Sequence, residues 1–333
     1  MFKLLRLLSL IILCCFSSVS YVRAGSGNSI VNGRVANIAS VNQGGDLISK
    51  IGLLKNIFSV VTMGNGYRTT FFGLMSGGNS NYGAESHIDL DALAILTGLT
   101  EGIATPVGVV ELSAFFEKGQ GSYSHSEGAL ALTESGDTNY HGGGIMGRYY
   151  PKCIIPLYIE SSFRKGQSET KFSGKYANGE RAFSSFEVET PYHGVHGQLG
   201  LLFGSNKMTI DVSTAYIWTH FDDSTAVSSN EKILFAPIDS HRWRSGVKGT
   251  FNGSPFDTYA GAYFEHEFNG KSRVNMNGQK FNGTSLIGST AIGEFGVIFL
   301  VARPMSLSVD AGVKGYTGMR EGVEGSLQIN FSF

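Results

Sequence analysis

The sequence predicts an all-β protein, a twelve-stranded antiparallel transmembrane β-barrel, with a helical segment ahead of the first strand. Three observations carry this expectation. The end of the chain, Val323–Phe333, reads V-E-G-S-L-Q-I-N-F-S-F, so that Val323, Gly325, Leu327, Ile329, Phe331 and Phe333 alternate with Glu324, Ser326, Gln328, Asn330 and Ser332. A period of two places alternate residues on opposite faces of a strand. Faces that differ this much in polarity suit lipid on one side and water on the other. Similar segments recur along the chain, and the connections between them alternate between very short and long.

The first 24 residues read as a cleavable secretory signal. Lys3 and Arg6 precede a mostly apolar run, Leu7–Phe16, and Val22-Arg23-Ala24 ends it in the manner of a cleavage site. The run is too short for a spanning helix. With Cys14 and Cys15 in the signal, Cys153 is left alone, which excludes an intrachain disulfide. Residues 25–64 form a short linker and helical segment. Val35, Ile38 and Ala39, then Leu47, Ile48, Ile51 and Leu54, recur at helical spacing. Gly44-Gly45 between them predicts a break, hence one or two helices, the second opening near Asp46. Such a helix docks in the lumen as a plug or lies on a periplasmic or surface face.

Residues 65–333 form the barrel. Twelve strands are expected at roughly 67–77, 87–98, 108–119, 138–150, 153–164, 192–204, 207–220, 239–251, 256–268, 286–301, 305–317 and 322–333. Many run to about eleven residues, the length a tilted strand needs to cross a bilayer. Turns at Pro151-Lys152, Ser205-Asn206, Asn252-Gly253 and Arg303-Pro304 are short, whereas 120–137, 165–191, 221–238 and 269–285 read as long polar loops. Tight turns at one end and long loops at the other belong to membrane barrels. The polar parity carries both signs of charge: Arg148, Glu160, Arg164, Arg242, Arg244, Glu265, Glu267, Glu294, Asp310 and Lys314 are expected to face the lumen and pair across it. Tyr149, Tyr150, Trp218, Trp243, Tyr259 and Tyr316 are candidates for interfacial aromatic girdles or for interior positions.

With 26 basic against 27 acidic residues, the chain has no net attraction to phosphate backbones, so no nucleic-acid partner is expected. Catalytic signatures are missing. His193 and His196 fall on opposite strand faces, a poor metal pair. The glycines at 64–66 and 142–144 open no helix, which argues against a phosphate loop. No enzyme activity, metal or cofactor is expected.

Several blocks resemble the β-domains of autotransporters, the translocators of type V secretion. They are G-V-K-G-Y-T-G-M-R-E-G-V-E-G-S-L-Q-I-N-F-S-F (312–333), Y-F-E-H-E-F-N-G (263–270), S-L-I-G-S-T-A-I-G-E-F-G (285–296), D-S-H-R-W-R-S-G (239–246), S-A-F-F-E-K-G-Q-G-S-Y (113–123) and Y-H-G-G-G-I-M-G-R-Y (140–149). The resemblance spans roughly residues 65–333. It implies a twelve-stranded barrel with a lumenal helix in the outer membrane of a Gram-negative bacterium, and export of an N-terminal passenger. It also implies insertion into outer-membrane lipid by the barrel-assembly machinery and periplasmic chaperones. Leu327, Ile329, Phe331 and Phe333 would then form the assembly signal. An unfinished edge strand pairs by β-augmentation, with alternate side chains giving specificity. The chain departs from the family in having about forty residues between Ala24 and the first strand, with no solenoid repeat and no Asn-Asn pair. A translocator with an absent or very short passenger is therefore expected. The alternative is a surface protein, adhesin-like or a narrow pore, whose long loops bind ligands.

Overall fold

The structure, a computed structural model, describes residues 29–51, 66–83, 87–126, 132–176, 181–205, 207–228, 231–253, 256–276, 279–302 and 306–333. The expected signal, residues 1–24, lies outside the described residues.

Among the described residues one helix, α1 (Ser29–Ile48), precedes sixteen strands. They are β1 (Tyr67–Gly83), β2 (His87–Thr105), β3 (Gly108–Ser126), β4 (Leu132–Pro151), β5 (Leu157–Tyr176), β6 (Arg181–Gly204), β7 (Met208–Phe221), β8 (Ser224–Ser228), β9 (Glu231–Phe235), β10 (Ile238–Phe251), β11 (Phe256–Glu267), β12 (Lys271–Met276), β13 (Gln279–Ser285), β14 (Gly288–Ala302), β15 (Ser306–Gly318) and β16 (Arg320–Ser332). Twelve of them close a barrel in the order β1-β16-β15-β14-β11-β10-β7-β6-β5-β4-β3-β2, all antiparallel. Each of the twelve expected strands is present.

The barrel seam joins the two ends of the domain. Phe71 faces Phe331 and Met75 faces Leu327 across the β1–β16 ladder. The terminal Phe333 donates its N–H to the Thr69 carbonyl at 3.1 Å and stacks on Phe71 with ring centroids 5.9 Å apart. Closure thus satisfies the edge groups that an open sheet would leave in lipid.

The two faces of the wall differ as the alternation requires. On β16 the odd positions look outward, and Ile329 and Phe333 are exposed; Arg320, Glu324, Gln328, Asn330 and Ser332 are buried inside. The same parity rule leaves Phe116, Ile145, Phe163, Leu199 and Phe295 exposed on the outer surface. A contiguous apolar outer belt over a polar interior is the pattern of a membrane-spanning barrel.

Three expectations change, and one open alternative is resolved. The segments 120–137 and 165–191 are largely strand: β3–β4 and β5–β6 extend as long hairpins, and β6 alone has 24 residues. Their upper parts carry polar residues outside, such as Lys165, Gln167, Glu169 and Lys171, because water replaces lipid there. The segments 221–238 and 269–285 hold β8, β9, β12 and β13, a separate four-stranded sheet in the order β13-β12-β9-β8. Its apolar face, including Ala226, Ile233, Phe235 and Val274, packs on Phe172 and Val188 at the long-loop end. Cys153 lies in the 152–156 connection rather than on a strand and is exposed. Among the aromatics, Tyr150, Tyr259 and Tyr316 are buried inside, because Tyr259 and Tyr316 donate hydrogen bonds to Asp310 and Glu324, while Tyr150 packs on Tyr158. Trp243 faces outward and is exposed.

Candidate functional site

The candidate site is the lumen together with the helix it holds. The sequence of α1 is a poor helix former in isolation: Gly33, Gly44 and Gly45 each cost about 1 kcal/mol relative to alanine. Asn37 and Asn42 also favour other conformations. Yet α1 is one unbroken helix through Gly44-Gly45, and every residue from Val31 to Ile48 is buried. The expected break is absent for a steric reason. A Cβ on Gly44 would stand 1.9 Å from the Tyr140 Oη, and one on Gly45 would stand 2.7 Å from an Arg164 guanidinium nitrogen. The two glycines let the wall approach the helix axis; they do not end the helix.

The apolar contacts fall into three levels. Val31 joins the cluster of Phe172, Phe235 and Val274 at the long-loop end. Val35, Ile38, Ala39 and Val41 meet Tyr82, Leu90, Tyr123, Tyr140 and Tyr192 in the middle. Leu47, Ile48 and Ile51 meet Phe72, Leu74, Leu96, Phe115 and Met146 lower down.

Polar contacts interleave with these on every side. Asn32 Oδ1 accepts from Thr284. Arg34 donates to Thr190 Oγ1 and to the Asp222 carbonyl, and stacks over Phe221 and Phe235. Asn37 donates to Ser168 at 3.0 Å and accepts from Thr138 at 2.9 Å. Asn42 donates to Ser240 at 2.9 Å. Lys50 donates to Ser326 at 2.8 Å, and Arg148 donates to the Ile51 carbonyl at 2.6 Å.

Asp46 is the centre of charge. Its Oδ1 lies 2.8 Å from both Arg242 Nη1 and Arg244 Nη2, and Arg320 Nη1 stands 3.6 Å from its Oδ2. Glu265 shares the two first arginines, at 3.4 Å from Arg242 and 2.5 Å from Arg244. A buried carboxylate surrounded by three guanidinium groups is held by charge-assisted bonds from β10 and by the charge of Arg320 on β16. The sequence pattern puts Asp46 near the start of a second helix and gives no sign of its role as an anchor. Its distance in sequence from Arg242 hides the pairing, and the only signal in the sequence is that Asp46 is the single acidic residue of α1, with Arg34 its single basic one.

The ten charges expected in the lumen all lie on the interior parity. Arg148 pairs with Glu160 and, at 3.1 Å, with Glu111. Arg164 pairs with Glu117 at 3.0 Å and donates to the Val41 carbonyl. Lys248 and Glu294 stand 3.9 Å apart. Glu267 accepts from Ser240 and from the His241 N–H. Glu294, Asp310 and Lys314 line a cavity of about 470 Å³ at the short-turn end, into which Lys50 projects. His196 lies inside, 3.3 Å from Glu160, and His193 lies outside, so the two are separated by the wall. Among the described residues no group of three or more His, Cys, Asp or Glu is arranged to hold a metal. The four assembly-signal candidates, Leu327, Ile329, Phe331 and Phe333, share the outward parity of β16 at the seam.

The direction of α1 decides what the arrangement can do. Its start packs beneath β12 and β13, at the long-loop end, and its last turn reaches Ser326 and Gln328 on the lower half of β16. The chain then begins β1 at Tyr67, at the short-turn end. The helix therefore threads the barrel.

No protein-family model matches the sequence, and no curated protein matches it significantly. Solved structures do resemble it. The translocator domain of the autotransporter NalP from Neisseria meningitidis aligns over 92% of this chain and 99% of its own, at TM-score 0.62 and 13% identity. The β-domain of the Bordetella autotransporter BrkA aligns over 79% and 98%, at TM-score 0.56 and 10% identity. The transport unit of the autotransporter AIDA-I from Escherichia coli aligns over 90% and 99%, at TM-score 0.55 and 16% identity. The chain has the fold of autotransporter translocator domains.

Proposed function

We propose that the protein is an outer-membrane translocator of the autotransporter type, resting in a plugged state. The carrying observation is the threading. A barrel that inserts from the short-turn side can place the start of α1 at the long-loop end only if the N-terminal segment has crossed through the lumen. The polar inner wall suits that passage, because an extended chain finds hydrogen-bond partners along its whole length. Afterwards Asp46, Arg34 and Asn37 hold the helix in place. The fold shared with translocators from three Gram-negative bacteria supports the same reading and its location in the outer membrane.

The barrel-assembly machinery and periplasmic chaperones are the partners this reading requires. The outward residues Leu327, Ile329, Phe331 and Phe333 are the surface we assign to that recognition, since β16 is a free edge until β1 pairs with it. Catalysis has no part in this function.

The test is vectorial labelling of intact cells. A Lys171→Cys, Cys153→Ser variant, with its thiol at an exposed position of the long-loop end, should react with a membrane-impermeant maleimide from outside. The parent chain, whose Cys153 is exposed at the short-turn end, should react only after the outer membrane is opened. Labelling of the Lys171→Cys variant only after permeabilisation would reverse the topology and end this reading. Ligand binding by the long-loop end is the alternative function; nothing in the four-stranded sheet singles out a ligand.

A further inference from the structure

The chain has eight histidines, and five of them lie on the outer wall along one side of the barrel. Their placement follows the barrel geometry. Strand ends at the short-turn side step downward in register from β5 to β14: Leu157 faces Leu201 while β6 continues to Gly204, and Phe256 faces Phe299 while β14 continues to Ala302. A line of constant height therefore crosses the ladders obliquely.

The histidines trace such a line. Lys165 and His220 both face His193 directly. Before them, His141 sits two residues above Gly143, the partner of Lys165. After them, His241 sits two residues below Asp239, the partner of His220. His266 sits two residues below Phe268, which hydrogen-bonds to His241. The descent has the same sense as that of the strand ends, so His141, Lys165, His193, His220, His241 and His266 form a level band from β4 to β11.

The band marks the upper limit of the apolar belt. The next outward residue below Lys165 is Phe163, below His193 Val195, below His220 Trp218, below His241 Trp243 and below His266 Phe264. Trp218 rests against His193 and His220, with ring centroids 5.1 and 5.9 Å away. Its Nε1–H and His220 Nδ1 both engage Asp239, at 2.9 and 2.8 Å, and Asp222 lies 3.5 Å from His220 Nε2. Tyr216 and His241 are joined at 2.6 Å, and His266 and Ser289 at 2.9 Å. Above the band, Lys171 is paired with Glu169 and Glu187, and Gln167 with Glu189. On the other side of the barrel the outward polar residues at the top of β2 are His87, Asp89 and Asp91, a single imidazole beside two carboxylates that are bonded to Asn81 and Asn79.

We propose that the band is a contact site for phosphate-bearing lipid headgroups of the leaflet at the long-loop end. Aromatic rings at a membrane interface sit at headgroup depth. A row of imidazole and ammonium donors directly above them meets the lipid phosphates, and a one-sided arrangement orders those lipids around one half of the wall. The inference rests on the membrane-spanning reading given above.

Trp218 and Trp243 are the only two tryptophans in the chain, and both border the band, so intrinsic fluorescence reports on it. The full chain is inserted into phosphatidylcholine vesicles containing either lipid A or lipid A stripped of its phosphates. The phosphorylated lipid should shift the tryptophan emission and remain bound on detergent extraction, with an apparent affinity about tenfold above that of the stripped lipid. Replacing Lys165, His193, His241 and His266 by Gln should erase the difference while heat-modifiable migration on a denaturing gel stays unchanged. If the fourfold variant does not fold, Lys165→Gln and His193→Gln singly should each lower the preference. Equal response to the two lipids, or an undiminished preference in folded variants, overturns the proposal. Failure of the parent chain to insert at all would instead overturn the membrane-spanning reading.

Discussion

On the wall, outward apolar side chains such as Phe116, Ile145 and Ile329 leave much of their surface without protein cover; on α1, every residue from Val31 to Ile48 is covered, polar ones included. The wall discards its grease to lipid and keeps its charges, and the helix survives because those charges need a partner. An element with weak intrinsic propensity becomes a straight helix when its surroundings supply hydrogen-bond partners at Asn32, Arg34, Asn37, Asn42 and Asp46. Burial inside this protein thus includes many polar and charged side chains beside the apolar ones, unlike a soluble domain.

Substitutions can separate the two regimes. Asp46→Ala strips three arginines of their shared carboxylate, and a broken buried pair costs about 3–5 kcal/mol. Single-channel recordings should show the variant open for much of the time, and a channel that stays shut would mean the helix is held by packing alone. On the other face, Leu327→Arg places a cation in lipid at a cost of about 2–4 kcal/mol at mid-depth. Denaturant-titrated folding into vesicles measures it. A harmless Leu327→Arg beside a Glu265→Leu variant that cannot assemble would exchange inside for outside.

Gly44→Ala should cost about 1–3 kcal/mol of helix docking through overpacking against Tyr140. Tyr140→Phe in the same chain should restore part of the closed time, because it removes the atom nearest the added methyl. Lys171→Gln, at an exposed pair above the bilayer, should leave the unfolding midpoint unchanged within error. A measurable shift there would show that the upper hairpins contribute to closure.

The lipid-crossing parts of the wall were legible because lipid forces a period of two: Leu327, Ile329, Phe331 and Phe333 could only be one face. Where the strands rise into water the signal fades. In β5, Lys165, Gln167, Glu169 and Lys171 outside oppose Ser168 and Thr170 inside, so both faces are polar and the hairpin reads as loop. The interior charges were legible by parity, but their pairing was not. Arg242 meets Asp46 across 196 positions of sequence, and no local pattern encodes that distance. Gly44-Gly45 misled for a related reason, since the residue that requires them is Tyr140 on a remote strand.

The threaded path sets how the molecule would come apart under mechanical load. Tension on Ser29 from the long-loop side runs along the helix axis, so the cork slides before any ladder bond of the wall is strained. Tension on Phe333 instead peels β16 from β1 residue by residue, beginning at the Thr69 contacts, and unzips the cylinder with the cork still inside. The same chain would therefore yield two different force signatures, set only by whether Ser29 or Phe333 is held.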